Sequence, residues 1–131
     1  MPDIKVIRSL LAGHAPLTAV VPAAAIAPGL IAQSTPLPAI GISHVSGVWG
    51  KDVSRQSKDC TARVQVTVLA QNYPQQKQIM ALVRAAVPRT HGTVAGVVVD
   101  SITREDDGPD FADEDAGIYM QTQDFIVKYS E

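Results

Sequence analysis

Cys60-Thr61-Ala62-Arg63-Val64-Gln65-Val66-Thr67-Val68-Leu69-Ala70 is the stretch that sets the fold class. Ala62, Val64, Val66 and Val68 point one way along an extended chain; Thr61, Arg63, Gln65 and Thr67 point the other. One apolar face and one polar face describe a strand buried on a single side. Such strands belong to antiparallel sheets backed by helices on that side.

Downstream, the spacing predicts a helix from about Pro74 to Val87. Ile79, Leu82, Val83 and Ala86 follow the i, i+3, i+4, i+7 template, Gln75, Gln76, Lys77 and Arg84 take the solvent side, and Pro88 stops the helix. Upstream lies a polar Gly/Ser loop, residues 46–59, which carries Trp49, Lys51, Arg55 and Lys58. Trp49 there is either a core anchor or an exposed contact residue. Before it, Leu37 to Val45 reads as a strand entered through Pro36 and Pro38. A first helix starts at Pro2 and ends at Gly13, with Ile4, Ile7 and Leu11 at helical spacing. The Ala/Pro-rich connection 14–24 holds buried positions at Val20 and Val21, Ile26 is buried beyond it, and Pro22 argues against a regular element.

The C-terminal third reads as a β-branched run, Gly92 to Val99, and a continuation across a bend, Asp100 to Arg104. An acidic loop and a closing strand, Gly117 to Tyr129, follow. Tyr119, Phe125, Val127 and Tyr129 share one parity and therefore one face. The expected class is α+β: a mostly antiparallel sheet, two helices packed on one face and long charged loops, in a single domain spanning residues 1–131.

Composition bounds the function. A chain of 131 residues with 46% apolar content has enough material for one core. The net charge of −2 argues against a general affinity for nucleic acid. Cys60 is the only cysteine, so no intramolecular disulfide and no cysteine-based zinc site can form, which fits a reducing compartment. No basic segment followed by an apolar core opens the chain, so no signal peptide is expected. The longest apolar stretch, Ala15 to Ile31, is interrupted by Pro16, Pro22, Pro28 and Gly29 and does not read as a membrane span.

The acids are concentrated. Glu105, Asp106, Asp107, Asp110, Asp113, Glu114 and Asp115 are more than half of the 13 in the chain. Like charges at this density keep a loop solvated and seek a cationic partner. With no His or Cys among them, they suggest docking rather than catalysis.

Other chemistry is thin. His14, His44 and His91 are scattered, and His44 alternates with Ile42 as a structural histidine would. Ser43-His44 and Thr90-His91 lack the spaced nucleophile, base and orienter of a hydrolase. Asp106-Asp107-Gly108 resembles a fragment of a calcium loop but misses its register and its closing Glu. Gly41, Gly47 and Gly50 do not form a phosphate loop. The residues therefore suggest no catalytic, cofactor or metal site. The alternative from another class is a small calcium- or ligand-binding module built on the acidic loop.

The order of these pieces resembles the tail-completion, or tail-terminator, family of long-tailed bacteriophages and prophages. The helix Ile4 to Leu11 leads to Leu17-Thr18-Ala19-Val20-Val21, and Leu37-Pro38-Ala39-Ile40 opens a strand. Ala62 to Val68 precedes Tyr73, where the family enters its main helix, and Ala81 to Val87 ends that helix. Gly92-Thr93-Val94-Ala95-Gly96-Val97 resembles the family's hairpin, and Asp100 to Asp106 follows. The closing pattern is Tyr119, then Asp124-Phe125, then Tyr129. The stretch 22–32 departs from the family, which often has a clearer strand there.

The resemblance implies a non-enzymatic virion protein that needs no cofactor. It would form a ring, usually sixfold, on the head-proximal end of the tail tube, stop tube growth and join the head. The implied partners are its own copies, the major tail tube protein and a head-completion or connector protein, with no membrane and no specific nucleic acid. The implied location is the virion tail, and the host cytoplasm during assembly. Trp49, Lys51, Arg55, Lys58 and the seven acids are the interface candidates. A different head–tail joining ring protein is the related alternative.

Overall fold

The computed structural model describes residues 2–29, 36–49, 59–87 and 92–130. Helix α1, Pro2–Ala12, buries Val6, Ile7, Leu11 and Asp3. It stops at Gly13, whose N–H donates to the Ser9 carbonyl at 3.0 Å. A third helix corrects the expectation of two: α2, Ala15–Thr18, lies inside the Ala/Pro-rich connection. Pro16 fits its first turn, where no N–H is needed, and Leu17 anchors it in the core. A short 3-10 turn, Ala23–Ala25, then leads into strand β1, Ile26–Pro28. The stretch 22–32 does supply a first strand, three residues long among the described residues, pairing parallel with Ile40–Ile42.

Strand β2, Ala39–Trp49, pairs antiparallel with β3, Asp59–Ala70, from Ala39↔Leu69 to Trp49↔Cys60. The ladder carries a bulge at Val45, between His44 and Ser46. Residues 46–49, expected in a loop, are therefore strand. Their Gly/Ser content hid the pairing, because the partner segment from Cys60 to Arg63 supplies the ladder. Lys51, Arg55, Lys58 and His91 lie outside the described residues. In β3, alternate residues from Cys60 to Ala70 are buried, as the period-2 pattern requires.

Helix α3, Tyr73–Ala86, begins at Asn72, whose side-chain oxygen accepts from the Gln75 N–H at 2.8 Å. Its buried stripe is Gln76, Ile79, Met80, Val83 and Ala86. Two assignments change. Gln76, expected in solvent, is fully buried, and Leu82, expected in the core, is only partly buried against it. Gln76 sits three and four residues before Ile79 and Met80, so helical geometry puts it on the apolar stripe despite its polarity.

The hairpin of β4, Gly92–Val94, and β5, Val97–Asp107, turns at Ala95-Gly96, both at positive φ. Asp100 to Arg104 continues β5 itself, and the predicted bend is a bulge at Asp100. β6, Phe111–Asp113, and β7, Ile118–Ser130, complete a seven-stranded sheet of order β1-β2-β3-β7-β5-β4, with β6 on β7. Among the described residues, only the β1–β2 pair is parallel. Phe125, Val127 and Tyr129 are buried on one face of β7; Tyr119, assigned to the same face, is partly exposed.

α1 packs against β1, β2 and β3, α3 against β3 and β7, and α1, α2 and α3 touch one another. Val6, Leu11, Leu17, Ile40, Val66, Met80 and Phe125 are fully buried members of one apolar cluster. Fully burying each such side chain contributes about 1.5–3 kcal/mol before entropy is counted.

Candidate functional site

The acidic stretch is less a loop than an arm. β5 runs through Glu105 and Asp106 to Asp107, a short connection carries Asp110, and β6 ends at Asp113. A turn at Glu114 and Asp115 brings the chain back as β7. The sequence read 105–115 as unbroken loop because clustered like charge disfavours an isolated strand. Here cations of the same chain offset that charge.

The arm is tied down from two sides. From α3, Arg84 Nη2 donates to Asp107 Oδ2 at 3.1 Å, and Lys77 Nζ donates to Asp110 Oδ1 at 2.7 Å. The Tyr73 hydroxyl donates to the other Asp110 oxygen at 3.0 Å. From the polar face of β3, Arg63 Nε donates to Asp124 Oδ2 at 2.7 Å, and its Nη2 reaches Asp106 at 3.5 Å. Neighbouring Asp106 and Asp107 thus meet cations from different elements.

Two glutamines of β7 complete the attachment. Gln123 Oε1 accepts from Arg84 Nε at 2.9 Å, while its amide donates to the Glu105 carbonyl at 2.9 Å. Gln121 Oε1 accepts from Lys77 Nζ at 3.2 Å, and its amide donates to the Gly108 carbonyl at 3.1 Å. Each glutamine joins a helix cation to the arm's backbone. Gly108 allows the close approach: a Cβ there would lie 2.3 Å from Thr122 Oγ1.

These bonds shift the charged groups. The Lys77 ammonium holds the Asp110 carboxyl below the ordinary aspartate range, with the Tyr73 hydroxyl assisting. The Asp110 hydrogen bond raises the Lys77 ammonium in turn, against a smaller opposing effect of burial. Asp124 raises the Arg63 guanidinium in the same way, with Asp106 adding to it.

Of the remaining acids, Asp113, Glu114 and Asp115 stand at the turn that ends the arm, and Glu105 lies within β5. Asp113 Oδ1 accepts from the Ala116 N–H at 3.2 Å, which closes the turn, and Gly117 takes φ +68° there. Glu105, Glu114 and Asp115 are exposed, and Phe111 of β6 is 53% exposed.

A second exposed feature is the far half of β2. Val45 and Val48 are 51% and 69% exposed. Trp49 is half exposed, yet its ring meets Tyr129 edge-to-face at 6.3 Å between centroids, on the same row as buried Cys60. It is anchored on one side and exposed on the other.

His44 is structural: its ring nitrogen bonds the carboxylate of buried Asp3 and ties β2 to α1. Among the described residues, no three His, Cys, Asp or Glu side chains converge as metal ligands.

Sequence reasoning missed Arg63, Tyr73, Lys77, Arg84, Gln121 and Gln123. One signal was present. Lys77 and Arg84 are seven residues apart, two turns along one helix face, and Gln121 and Gln123 share a strand face opposite them.

A family model described as tail completion protein gp17 matches residues 5–130. The chain belongs to that family. No curated protein matches it. Among solved structures, a chain from the virion of a native gene transfer agent particle is similar, with a TM-score of 0.67. It covers 98% of this chain and 94% of that one at 15% identity, which is likeness of fold. Family membership makes the chain a structural protein of a phage tail.

Proposed function

We propose that this tail completion protein closes the head-proximal end of the tail tube as a ring, six subunits around, which ends tube growth and offers the surface that joins the head. The family match over residues 5–130 carries this reading. The chain acts as one domain, without catalysis or cofactor, and assembles in the host cytoplasm.

The geometry supports the division of labour a ring subunit needs. α1 and α3 both touch β3 and each other, which supports a reading with the helices on one face of the sheet. The polar face, the far end of β2 and the arm are then free for different neighbours. Trp49 and the seven acids, with Lys51, Arg55 and Lys58, are the contact residues. Glu105, Asp113, Glu114 and Asp115 meet a basic surface of a neighbouring subunit, the tube protein or the connector. Lys51, Arg55 and Lys58 of a neighbouring copy are the first candidates. The calcium alternative is less well supported, because Asp106, Asp107 and Asp110 are each drawn to a different cation.

Electron microscopy of particles from a deletion mutant tests the reading. The expected result is tubes of uncontrolled length and heads without tails. Joined tails of normal length would overturn it.

A further inference from the structure

The sheet has two open edges. β1 pairs with β2 only at Ile40–Ile42, so among the described residues no strand lies beyond the outer side of 43–49. At the opposite end of the strand order, β4 pairs with β5 only at Val97–Val99, so the outer side of β5 from Asp100 onward is likewise open. Open edges carry unpaired N–H and C=O groups and invite another strand.

The two edges stand at the same height. His44 pairs with Val64, Val64 with Phe125, and Phe125 with Arg104. Ser46 continues through Arg63 and Ile126 to Thr103, and Val48 through Thr61 and Lys128 to Ser101. Three complete rows thus start on one open edge and finish on the other. β2 and β5 run in opposite directions, because three antiparallel steps separate them. A rotation about an axis along the strands therefore carries the β5 edge of one copy onto the β2 edge of the next, antiparallel and row for row.

We propose that β2 from Ser43 to Trp49 pairs with β5 from Asp100 to Arg104 of a second copy of this chain, and that this edge contact propagates the ring. The inference rests on the ring reading above and adds the surface. A second copy is the fitting occupant because the matching open edge, in direction and height, is in this same chain. The β2 edge has no Lys and no Pro to repel a partner, and it exposes Val45 and Val48, which the contact would cover. The contact is heterologous: each copy gives one edge and receives the other, so it closes only as a ring. Closure removes the open edges altogether.

Cysteine pairing tests the contact. Chains carrying Ser46→Cys are mixed with chains carrying Thr103→Cys or Ser101→Cys, the second partner allowing a slip in register, and assembled on tail tubes under mild oxidant. The expected result is a disulfide-linked dimer in the mixtures and none from either chain alone; buried Cys60 stays out of reach. Val48→Lys, at an exposed position, should fold normally and lose ring formation. Rings that form without the mixed disulfide, or that Val48→Lys fills as well as the wild type, overturn the edge contact and leave the ring reading standing. If the wild-type chain forms no ring on tubes, both fall.

Discussion

Gln123 sits between Arg84 and the arm: it accepts from Arg84 Nε at 2.9 Å and donates to the Glu105 carbonyl at the same distance. The side chain is essentially buried, so no solvent replaces either partner. Gln123→Leu keeps much of the volume and removes these two bonds together with the amide's contacts to the Asp106 and Asp124 carbonyls. A destabilisation of about 1–3 kcal/mol is expected, the cost of leaving buried polar groups unmet. Denaturant unfolding measures it, and an unchanged midpoint would show that the bridge contributes nothing.

The face of α3 can be read from a pair of truncations. Met80→Ala should cost about 2–5 kcal/mol, because Met80 is fully buried. Leu82→Ala should cost distinctly less, because Leu82 is only partly covered. Equal costs would contradict the stripe of Gln76, Ile79, Met80 and Val83.

The helix face shows where sequence reading stops. Strand β3 was legible residue by residue, since its alternation needs no knowledge of partners. Helix α3 was legible as a helix but rotated, because Leu82 outranks Gln76 in hydropathy while Gln76 lies on the buried side. The extension of β2 through Trp49 and of β5 through Asp107 was hidden. β2 passes through Ser46-Gly47, of low β propensity, and their pairing with Arg63 and Ala62 overrides that preference; β5 crosses an irregularity at Glu105-Asp106 and rejoins the ladder only at Asp107, opposite Gln123. The acids of the candidate site were legible as a cluster. Their partners were not, because Arg63, Lys77 and Arg84 lie 43, 33 and 23 residues from Asp106, Asp110 and Asp107.

Acid should loosen the arm. The Asp110 carboxyl is held below its ordinary range by Lys77, so its folded value is lower than its unfolded one. A depressed carboxylate adds stability above the unfolded value, about pH 3.9, and that stability is lost as pH falls through the folded value. Both partners are solvent-accessible, so the contribution is small and screened by salt. NMR titration of the Asp110 carboxyl in wild type and Lys77→Gln checks the cause: the midpoint should rise in the variant. No change would remove Lys77 as the partner.

The arm's two sets of acids should behave differently when neutralised. Asp106, Asp107 and Asp110 bind cations of their own chain, and replacing them with Asn should free the arm from α3 and β3. Hydrogen exchange at Phe111–Asp113 should then quicken. Asp113, Glu114 and Asp115 meet no cation among the described residues, and neutralising them should leave both unfolding and exchange nearly unchanged. What should fall in that second variant is the attachment of tails to heads, scored as infectious particles per assembled head. Exposed pairs contribute only about 0–1 kcal/mol each, so the loss should need all three substitutions together. Salt supplies the control. Raising it to about 0.5 M shortens the screening length to roughly 4 Å, which weakens the wild-type contact itself. Wild type and variant should therefore diverge at low salt and converge at high salt. If the two join heads equally well at low salt, the arm's tip is solvated surface and takes no part in joining.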